Sequence, residues 1–216
     1  MPGFRPAGPA DAGDAAAFLG RVVALEAGSL VRLRGGDGQV TAYARLPFGV
    51  LVSRTVAGSV EPADVTFAAA DLLGTLDAPA GGAVAVPVRR DVEWRAALPP
   101  VSGWQRLDEV PGEVVRSLVR AGAATLRAVP AGAVATAGES LLDHESLRVS
   151  GAGRTAALPL RVLTALARMG FLGEPGTAAR GGDLVVVSAA RGWVRLAAAY
   201  GSAYLHATSA LGLSPR

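Results

Sequence analysis

The sequence contains no lysine, isoleucine, asparagine or cysteine, so all 21 of its basic residues are arginine. Lysine, isoleucine and asparagine have A/T-rich codons, whereas the abundant alanine, glycine, arginine, proline and valine have G/C-rich ones. A GC-rich genome therefore accounts for the arginine enrichment without any demand for nucleic-acid binding. The net charge of +3 is a mild bias, which permits an anionic partner but does not require one.

The missing residues also exclude several kinds of chemistry. Without cysteine there is no disulfide framework, no thiolate nucleophile and no cysteine-ligated metal. Without lysine there is no Walker phosphate-binding loop, and no G-x-S-x-G nucleophile elbow is present. The sequence therefore predicts no catalytic residue, no metal and no cofactor.

Charged residues are scarce, at 18% of the chain, while hydrophobic residues make up 50%. This balance favours a folded core and argues against disorder. Residues 1–18 lack a leucine-rich signal core, and no apolar run is long enough to span a membrane. We therefore expect a cytoplasmic protein with no membrane partner.

The hydrophobic pattern predicts an α+β fold, in which several β-hairpins pack with amphipathic helices and no βαβ rhythm is sustained. The predicted helices cover 14–26, 62–76, 111–127 and 159–169. Hairpins are predicted at 30–45, around the turn GGDG, at 147–158 and at 184–196. Single strands are predicted at 49–56, 84–88 and 104–110.

The same pattern suggests a domain organisation with two subdomains. We expect a flexible N-terminus over 1–13, an α+β domain over 14–127 and a smaller α+β subdomain over 139–206. Residues 128–138 (AVPAGAVATAG) have low complexity and are predicted to be a linker or an exposed loop. Residues 207–216 are expected to be a tail.

Four segments together resemble an uncharacterised conserved protein family of high-GC actinobacteria. They are 41–56 (TAYARLPFGVLVSRTV), 103–111 (GWQRLDEVP), 163–173 (LTALARMGFLG) and 200–205 (YGSAYL). The resemblance covers most of the chain, from about residue 18 to 205. It implies an actinobacterial cytoplasmic protein of unknown function, and no catalytic residue is carried over from it.

The arginines of the second half form the only spatial pattern among the polar residues. Helical spacing puts three of them on one face of the 111–127 helix, two on one face of the 159–169 helix, and one at the tip of the last hairpin. They are Arg116, Arg120, Arg127, Arg161, Arg168 and Arg191. Two interpretations remain open. The arginines lie on solvated helix faces, or they form a surface that binds anions or nucleic acid, because a guanidinium group binds phosphate in a bidentate fashion.

Two further motifs have alternative interpretations. The segment 151–156 matches G-x-G-x-x-A, which is either a dinucleotide-binding turn or, with the helix delayed by Pro159, a glycine-rich hairpin turn. The C-terminal third also resembles part of a winged helix, with Arg191 at the tip of the wing, although 147–158 look like strands where an upstream helix is required. His144, between two acidic neighbours, lacks the spacing of a helical metal site.

These observations favour a non-enzymatic binding or scaffold protein. The mean hydropathy of +0.36 suggests that apolar surface is buried in self-association or against a protein partner. The first alternative is a nucleic-acid-binding protein that uses the arginine-lined helix faces and the winged-helix-like segment. The second is an enzyme that acts on an anionic substrate held by arginine.

Overall fold

A computed structural model describes residues 3–76, 87–178 and 181–206. The chain divides into two compact units, Met1–Ala97 and Leu98–Arg216. Both units combine helices with antiparallel strands, which confirms the predicted α+β class.

The first unit is built on an antiparallel sheet with the strand order β5-β2-β3-β4. A short additional strand, β1, pairs with the far end of β4. A 3-10 turn at Asp91–Glu93 follows later in the chain. The elements are β1 (Gly3–Pro6), α1 (Pro9–Leu25), β2 (Leu30–Gly36), β3 (Gln39–Arg45), β4 (Leu51–Glu61), β5 (Asp64–Ala68) and α2 (Ala69–Leu76).

The hairpin predicted at 30–45 is confirmed as β2 and β3. Val31 and Leu33 are buried, as their alternation with arginine predicts. The turn puts Asp37 at φ 52° and Gly38 at φ 72°, and two successive positive φ values are what a two-residue hairpin turn requires. The local sequence therefore fixes both the turn and the face that enters the core.

The outer edge of β5 is closed by the segment that holds the 3-10 turn. The backbone N–H of Thr66 donates to the Asp91 carboxylate at 2.7 Å, and the N–H of Arg90 donates to the Thr66 carbonyl at 2.8 Å. An edge strand whose polar groups are satisfied in this way is not available for pairing at that position.

The second unit has its own antiparallel sheet, in the order β6-β9-β10-β11, together with a separate hairpin of β7 and β8. A 3-10 turn at Ala131–Ala133 leads into the fourth helix. The elements are β6 (Gln105–Pro111), α3 (Gly112–Arg127), α4 (Val134–Asp143), β7 (Glu145–Gly151), β8 (Arg154–Pro159), α5 (Leu160–Arg168), β9 (Leu184–Ala190), β10 (Trp193–Ala198) and β11 (Gly201–His206).

The two units share an arrangement that the sequence does not reveal as a repeat. In each, a helix precedes three consecutive antiparallel strands, as α1 precedes β2-β3-β4 and α5 precedes β9-β10-β11. In each, a further strand pairs with the first of the three and leads directly into a second helix: β5 into α2, and β6 into α3. Each unit therefore contains a four-stranded antiparallel sheet and a pair of helices, to which the first unit adds β1 and the second adds α4 and the hairpin of β7 and β8.

Most of the predicted elements of the second half are confirmed, including the helices at 112–127 and 160–168 and the hairpins around 151–154 and 190–193. The strand β11 is missed, because its glycine, serine and alanine residues have low strand propensity.

The helix predicted at 62–76 is wrong in its first half. Residues 64–68 form β5, and the helix begins only at Ala69. Val65 fits a helical stripe with Leu72, but it pairs with Leu33 across the sheet instead. Long-range strand pairing overrides the helical pattern here.

Two segments expected to be loose contain regular secondary structure. The N-terminus expected to be flexible over 1–13 contains β1 and the start of α1, because β1 finds its partner in the residues Gly58 to Glu61 of β4. Residues 128–138, predicted to be a linker, are largely exposed but hold the 3-10 turn and the start of α4, since alanine favours helix. They lie inside the second unit, and the two units divide at residue 97 instead.

Some predictions fall on residues outside those described. These are residues 84–86 of the strand predicted at 84–88 and the tail predicted at 207–216. Residues 87 and 88 are described, and they are not in a strand.

The ion pair between Arg32 and Asp64 predicts a pH dependence of stability for the first unit. Arg32 donates two hydrogen bonds to the carboxylate of Asp64, at 2.7 and 2.8 Å. These bonds hold the pKa of Asp64 below its ordinary value, with a further contribution from the charges of Arg32 and Arg34. A carboxylate with a lowered folded-state pKa stabilises the fold above its unfolded-state pKa and loses that contribution as the pH falls.

We therefore expect Asp64→Asn to lower the free energy of unfolding by less than about 1 kcal/mol at pH 7, because the pair is exposed. The difference from the wild type should shrink as the pH falls below about 3.9, the ordinary pKa of aspartate, and vanish once the carboxylate of the folded wild type is protonated. Urea unfolding from pH 2.5 to 7 measures it, with Asp37→Asn at the exposed hairpin turn as the control. A difference that stayed constant with pH would contradict the assignment.

Candidate nucleic-acid interface on the helices of the second unit

The helix α3 presents one buried face and one exposed face. Gly112, Val115 and Gly122 face the interior. The seven-residue spacing of Glu113, Arg120 and Arg127 places these three on the same side of the helix, and all are exposed. The exposed face of α3 therefore carries two of the predicted arginines.

Arg116 does not share that exposed face. Its guanidinium binds both oxygens of Asp183, with Nη1–Oδ2 at 2.6 Å and Nη2–Oδ1 at 3.1 Å, and also donates to the carbonyl of Gly173. The hydrogen bond to Asp183 raises the pKa of Arg116 above its ordinary value. The side chain of Asp183 is only 1% exposed, so Arg116 serves the fold and is not available to a ligand.

Arg161 is also engaged in ion pairs within the fold. It forms an ion pair with Asp143 at the end of α4 and lies 3.9 Å from Glu139. Its side chain is 19% exposed. Arg161 therefore links α5 to α4, and its guanidinium is already engaged by carboxylates.

Arg120, Arg127 and Arg168 are the predicted helix arginines that remain exposed. Arg120 forms an ion pair of 2.5 Å with Glu113, in which both side chains are largely in solvent. The Nε of Arg127 donates to the carbonyl of Ala123 at 3.1 Å, and Arg168 lies in the last turn of α5. Exposed pairs of this kind are weak and can exchange for phosphate contacts.

The two helices meet where Gly122 of α3 lies against Leu160 of α5. A Cβ on Gly122 would lie 2.4 Å from a methyl carbon of Leu160, so glycine permits the close approach. At 1.5 Å of rise per residue, Arg127 lies about 7 Å along α3 from this crossing and Arg168 about 12 Å along α5. We define Arg120, Arg127 and Arg168 as the helix arginine set.

Arg191 belongs to a different part of the unit. It is exposed at the turn between β9 and β10, with φ at 42°. The segment preceding α5 is the hairpin of β7 and β8, not a helix, so no helix-turn-helix exists over 147–169. The winged-helix-like interpretation is therefore wrong, because strand pairing occupies the residues that its first helix needs.

The glycine motif at 151–156 is the turn of that hairpin. Ala152 and Gly153 have φ values of 49° and 71°, and Gly151 pairs with Arg154. A two-residue turn between antiparallel strands is not the strand-to-helix turn of a dinucleotide site. The interpretation as a glycine-rich hairpin turn is confirmed.

Among the residues that the structure describes, no group of histidine, aspartate and glutamate has the arrangement of a metal site. His144 caps the C-terminal end of α4. His206 packs edge-on against Trp193, with ring centroids 4.8 Å apart. Across the described ranges, no helix has the length and apolar character needed to cross a membrane.

Sequence reasoning missed two polar residues of this unit: Asp183, whose side chain is 1% exposed and binds Arg116, and Arg195, whose guanidinium carbon lies 4.6 Å from the centre of the Trp104 ring. The alternation of Trp193, Arg195 and Ala197 in β10 signals that Arg195 shares a sheet face with an aromatic residue. Nothing local signals Asp183, because its partner lies 67 residues earlier in the chain.

The fold is similar to that of bacterial DNA sliding clamps. The DNA polymerase sliding clamp from Bacillus subtilis matches with a TM-score of 0.59 at 12% identity, over 95% of this chain and 64% of that chain. The DNA polymerase III subunit beta from Pseudomonas aeruginosa matches with a TM-score of 0.57 at 12% identity, over the same shares. The Helicobacter pylori beta clamp, in complex with carprofen, matches with a TM-score of 0.56 at 8% identity, over 100% of this chain and 65% of that chain.

This chain therefore spans just under two thirds of the length of these clamps, and at these identities the likeness concerns the fold alone. The chain belongs to the family described as domain of unknown function (DUF8185), whose model matches residues 99–210. Residues 1–96 match a second model, described as domain of unknown function (DUF8010). The two matches meet where the two units divide. No curated protein matches the chain.

Proposed function

We propose that this protein is a non-enzymatic cytoplasmic scaffold that binds other proteins and associates with DNA. The observation that carries the proposal is the clamp-like fold, which extends over 95% of the chain. The matching structures named above are bacterial DNA sliding clamps. A fold alone does not fix a function, so the chemistry of the surface must supply the rest.

The helix arginine set supplies the contact to DNA. Arg120, Arg127 and Arg168 are long, exposed and cationic, and guanidinium groups bind phosphate oxygens in a bidentate fashion. Three phosphate contacts give weak, sequence-independent and salt-sensitive binding. This strength suits a scaffold that must stay mobile on DNA, and it matches the mild net charge of +3.

Self-association is the second part of the proposal. The mean hydropathy of +0.36 is high for a protein with 18% charged residues. Several valines of the described residues are strongly exposed, and apolar surface of this kind is commonly covered by a partner. They are Val88, Val92 and Val101.

DNA binding by the full chain tests the proposal most directly. We expect weak binding to a 24-base-pair duplex at 50 mM salt, measured by fluorescence anisotropy, which falls steeply with salt. Replacing Arg120, Arg127 and Arg168 by Gln should reduce the slope of log K against log salt by about three units. Melting should stay within about a degree of the wild type, because exposed charges add little stability.

The matched control removes the same three charges from exposed strand positions, as Arg45→Gln, Arg148→Gln and Arg154→Gln. Light scattering on the same samples measures the mass of the assembly against the 21.7 kDa of one chain. Absence of wild-type binding at 50 mM salt, or an equal loss in the control variant, would overturn the DNA contact. A single 21.7 kDa species at all concentrations would overturn self-association.

A further inference from the structure

One row of side chains crosses the sheet of the second unit on a single face. The strand register places Arg106 of β6 beside Ser188 of β9, Ser188 beside Arg195 of β10, and Arg195 beside Tyr204 of β11. Side chains directly opposite each other on neighbouring strands share a face. This row lies on the other face from Val187 and Val194, the neighbours of Ser188 and Arg195 along their strands.

Trp104, which directly precedes β6, packs against this row. The guanidinium carbon of Arg195 lies 4.6 Å from the centre of the Trp104 ring, and the ring of Tyr204 lies 6.1 Å away, tilted by 52°. The indole N–H of Trp104 donates to the carbonyl of Pro100 at 3.0 Å, which holds the ring in place. We define Trp104, Ser188, Arg195 and Tyr204 as the Trp104 cluster.

Arg195 differs from every other half-buried arginine that the structure describes. Each of the others forms an ion pair with a carboxylate, whereas Arg195 contacts an indole ring. The others, with their partners, are Arg32 (Asp64), Arg54 (Asp14), Arg90 (Glu93), Arg116 (Asp183) and Arg161 (Asp143). In addition, the Nε of Arg195 is buried and has no hydrogen-bond partner within the described ranges.

The half-buried guanidinium of Arg195 has no carboxylate partner among the described residues, and this leaves its charge unpaired. Desolvation disfavours an unpaired charge, and the ring of Trp104 offsets this only in part. Among the described residues, every other half-buried arginine has a carboxylate as its partner. A carboxylate bound to Arg195 would meet the edge of the planar guanidinium group while the face of that group stays against the indole ring.

We propose that the Trp104 cluster binds a carboxylate side chain of a partner protein, presented beside an apolar residue. Tryptophan, tyrosine and arginine are the residues that most often dominate binding energy in protein interfaces. Val101, at 85% exposure, lies three residues before Trp104 and provides apolar surface for the neighbouring side chain.

The charge of this face favours a peptide over nucleic acid. Arg106 forms an ion pair with Glu109 at 2.6 Å, so Arg195 is the one arginine of this described row without a carboxylate partner among the described residues. One cation matches one carboxylate, whereas a nucleic-acid backbone is bound by several cations along its length. The proposal concerns a different surface from the helix arginine set and stands whether or not the protein binds DNA.

A titration of the full chain with two small peptides tests the proposal. The probes are acetyl-Phe-Glu-Leu-amide and its neutral counterpart acetyl-Phe-Gln-Leu-amide, followed by NMR of the indole N–H of Trp104. We expect the glutamate peptide to shift this signal at millimolar concentration and the glutamine peptide to bind about tenfold more weakly, because the hydrogen bond to a charged acceptor is lost. This comparison uses the wild-type protein and is independent of any folding defect in a variant.

Variants of the cluster provide the second arm. Arg195→Gln should abolish the preference for the glutamate peptide. Arg195→Lys should keep part of that preference, because lysine retains the charge but lacks the planar guanidinium group that binds a carboxylate in a bidentate fashion. Arg154→Gln, an exposed arginine of the same unit, should bind as the wild type does. Equal binding of the two peptides, an unchanged preference in Arg195→Gln, or a Trp104 shift caused by a ten-nucleotide oligo-dT but by neither peptide would overturn the proposal.

Discussion

Replacement of Asp183 by alanine is expected to lower the free energy of unfolding by about 2–4 kcal/mol. The carboxylate is 1% exposed and binds both terminal nitrogens of Arg116. Removing one partner of a buried ion pair leaves the other charge desolvated and unpaired, and this unpaired charge is what lowers the stability. The effect falls below that of a fully enclosed pair because the side chain of Arg116 keeps 19% exposure, and water can reach it.

The backbone around Asp183 leaves no room for rearrangement. The N–H of Gly112 donates to the Asp183 carbonyl at 2.8 Å, and a Cβ on Gly112 would lie 1.8 Å from the Asp183 carboxylate. A Cβ on Gly173 would lie 1.7 Å from the carbonyl oxygen of Gly182. The start of α3 and the residues after α5 therefore both pack closely against Gly182 and Asp183, just before β9.

Urea unfolding at pH 7 measures this effect, with Glu113→Gln as the matched control. Glu113 lies 3.8 Å from the same guanidinium but is exposed, so its loss should change the free energy of unfolding by less than about 0.5 kcal/mol. Asp183→Asn, which keeps the shape but not the charge, should fall between the two. Equal stability of Asp183→Ala and Glu113→Gln would show that the pair does not hold the unit together.

The elements that the sequence predicts well are those encoded by neighbouring residues. The turn at Asp37 and Gly38 and the end of α5, where Gly170 follows the helix with φ at 62°, are both specified within a few positions. In contrast, β1 becomes a strand only because β4 lies beside it, and β5 because β2 does. Strand pairing between distant residues is invisible to periodicity, and this accounts for the errors at 1–13 and 62–76.

The arginine surface shows the same division between local and distant information. Helical spacing identifies which arginines share a side of α3, and Arg120 and Arg127 indeed lie together on the exposed face. It does not identify which arginine has a buried partner. Arg116 meets Asp183, 67 residues away, and Arg161 meets Asp143, 18 residues away, so both are withdrawn from the surface. The same limit hides the contact of Arg195 with Trp104.

Leu163→Ala is expected to lower the free energy of unfolding by about 2–5 kcal/mol, the range for a fully buried leucine. Leu163 has no exposed surface, and its neighbours Val162, Leu166 and Met169 are equally enclosed. The helix α5 has nine residues, which is too short to be stable without packing. Its burial therefore holds it in place, and a cavity at Leu163 weakens the contacts of α5 with the rest of the second unit.

Tryptophan fluorescence during urea unfolding measures the change and locates it. Trp104 and Trp193 belong to the second unit, whereas Trp94 belongs to the first, so a Trp94→Phe background reports the second unit alone. Thr164→Ala, a half-buried neighbour on the same helix, is the control and should cost less than about 1 kcal/mol. If Leu163→Ala unfolded at the same urea concentration as Thr164→Ala, α5 would not be packed into the core of the second unit as the structure shows.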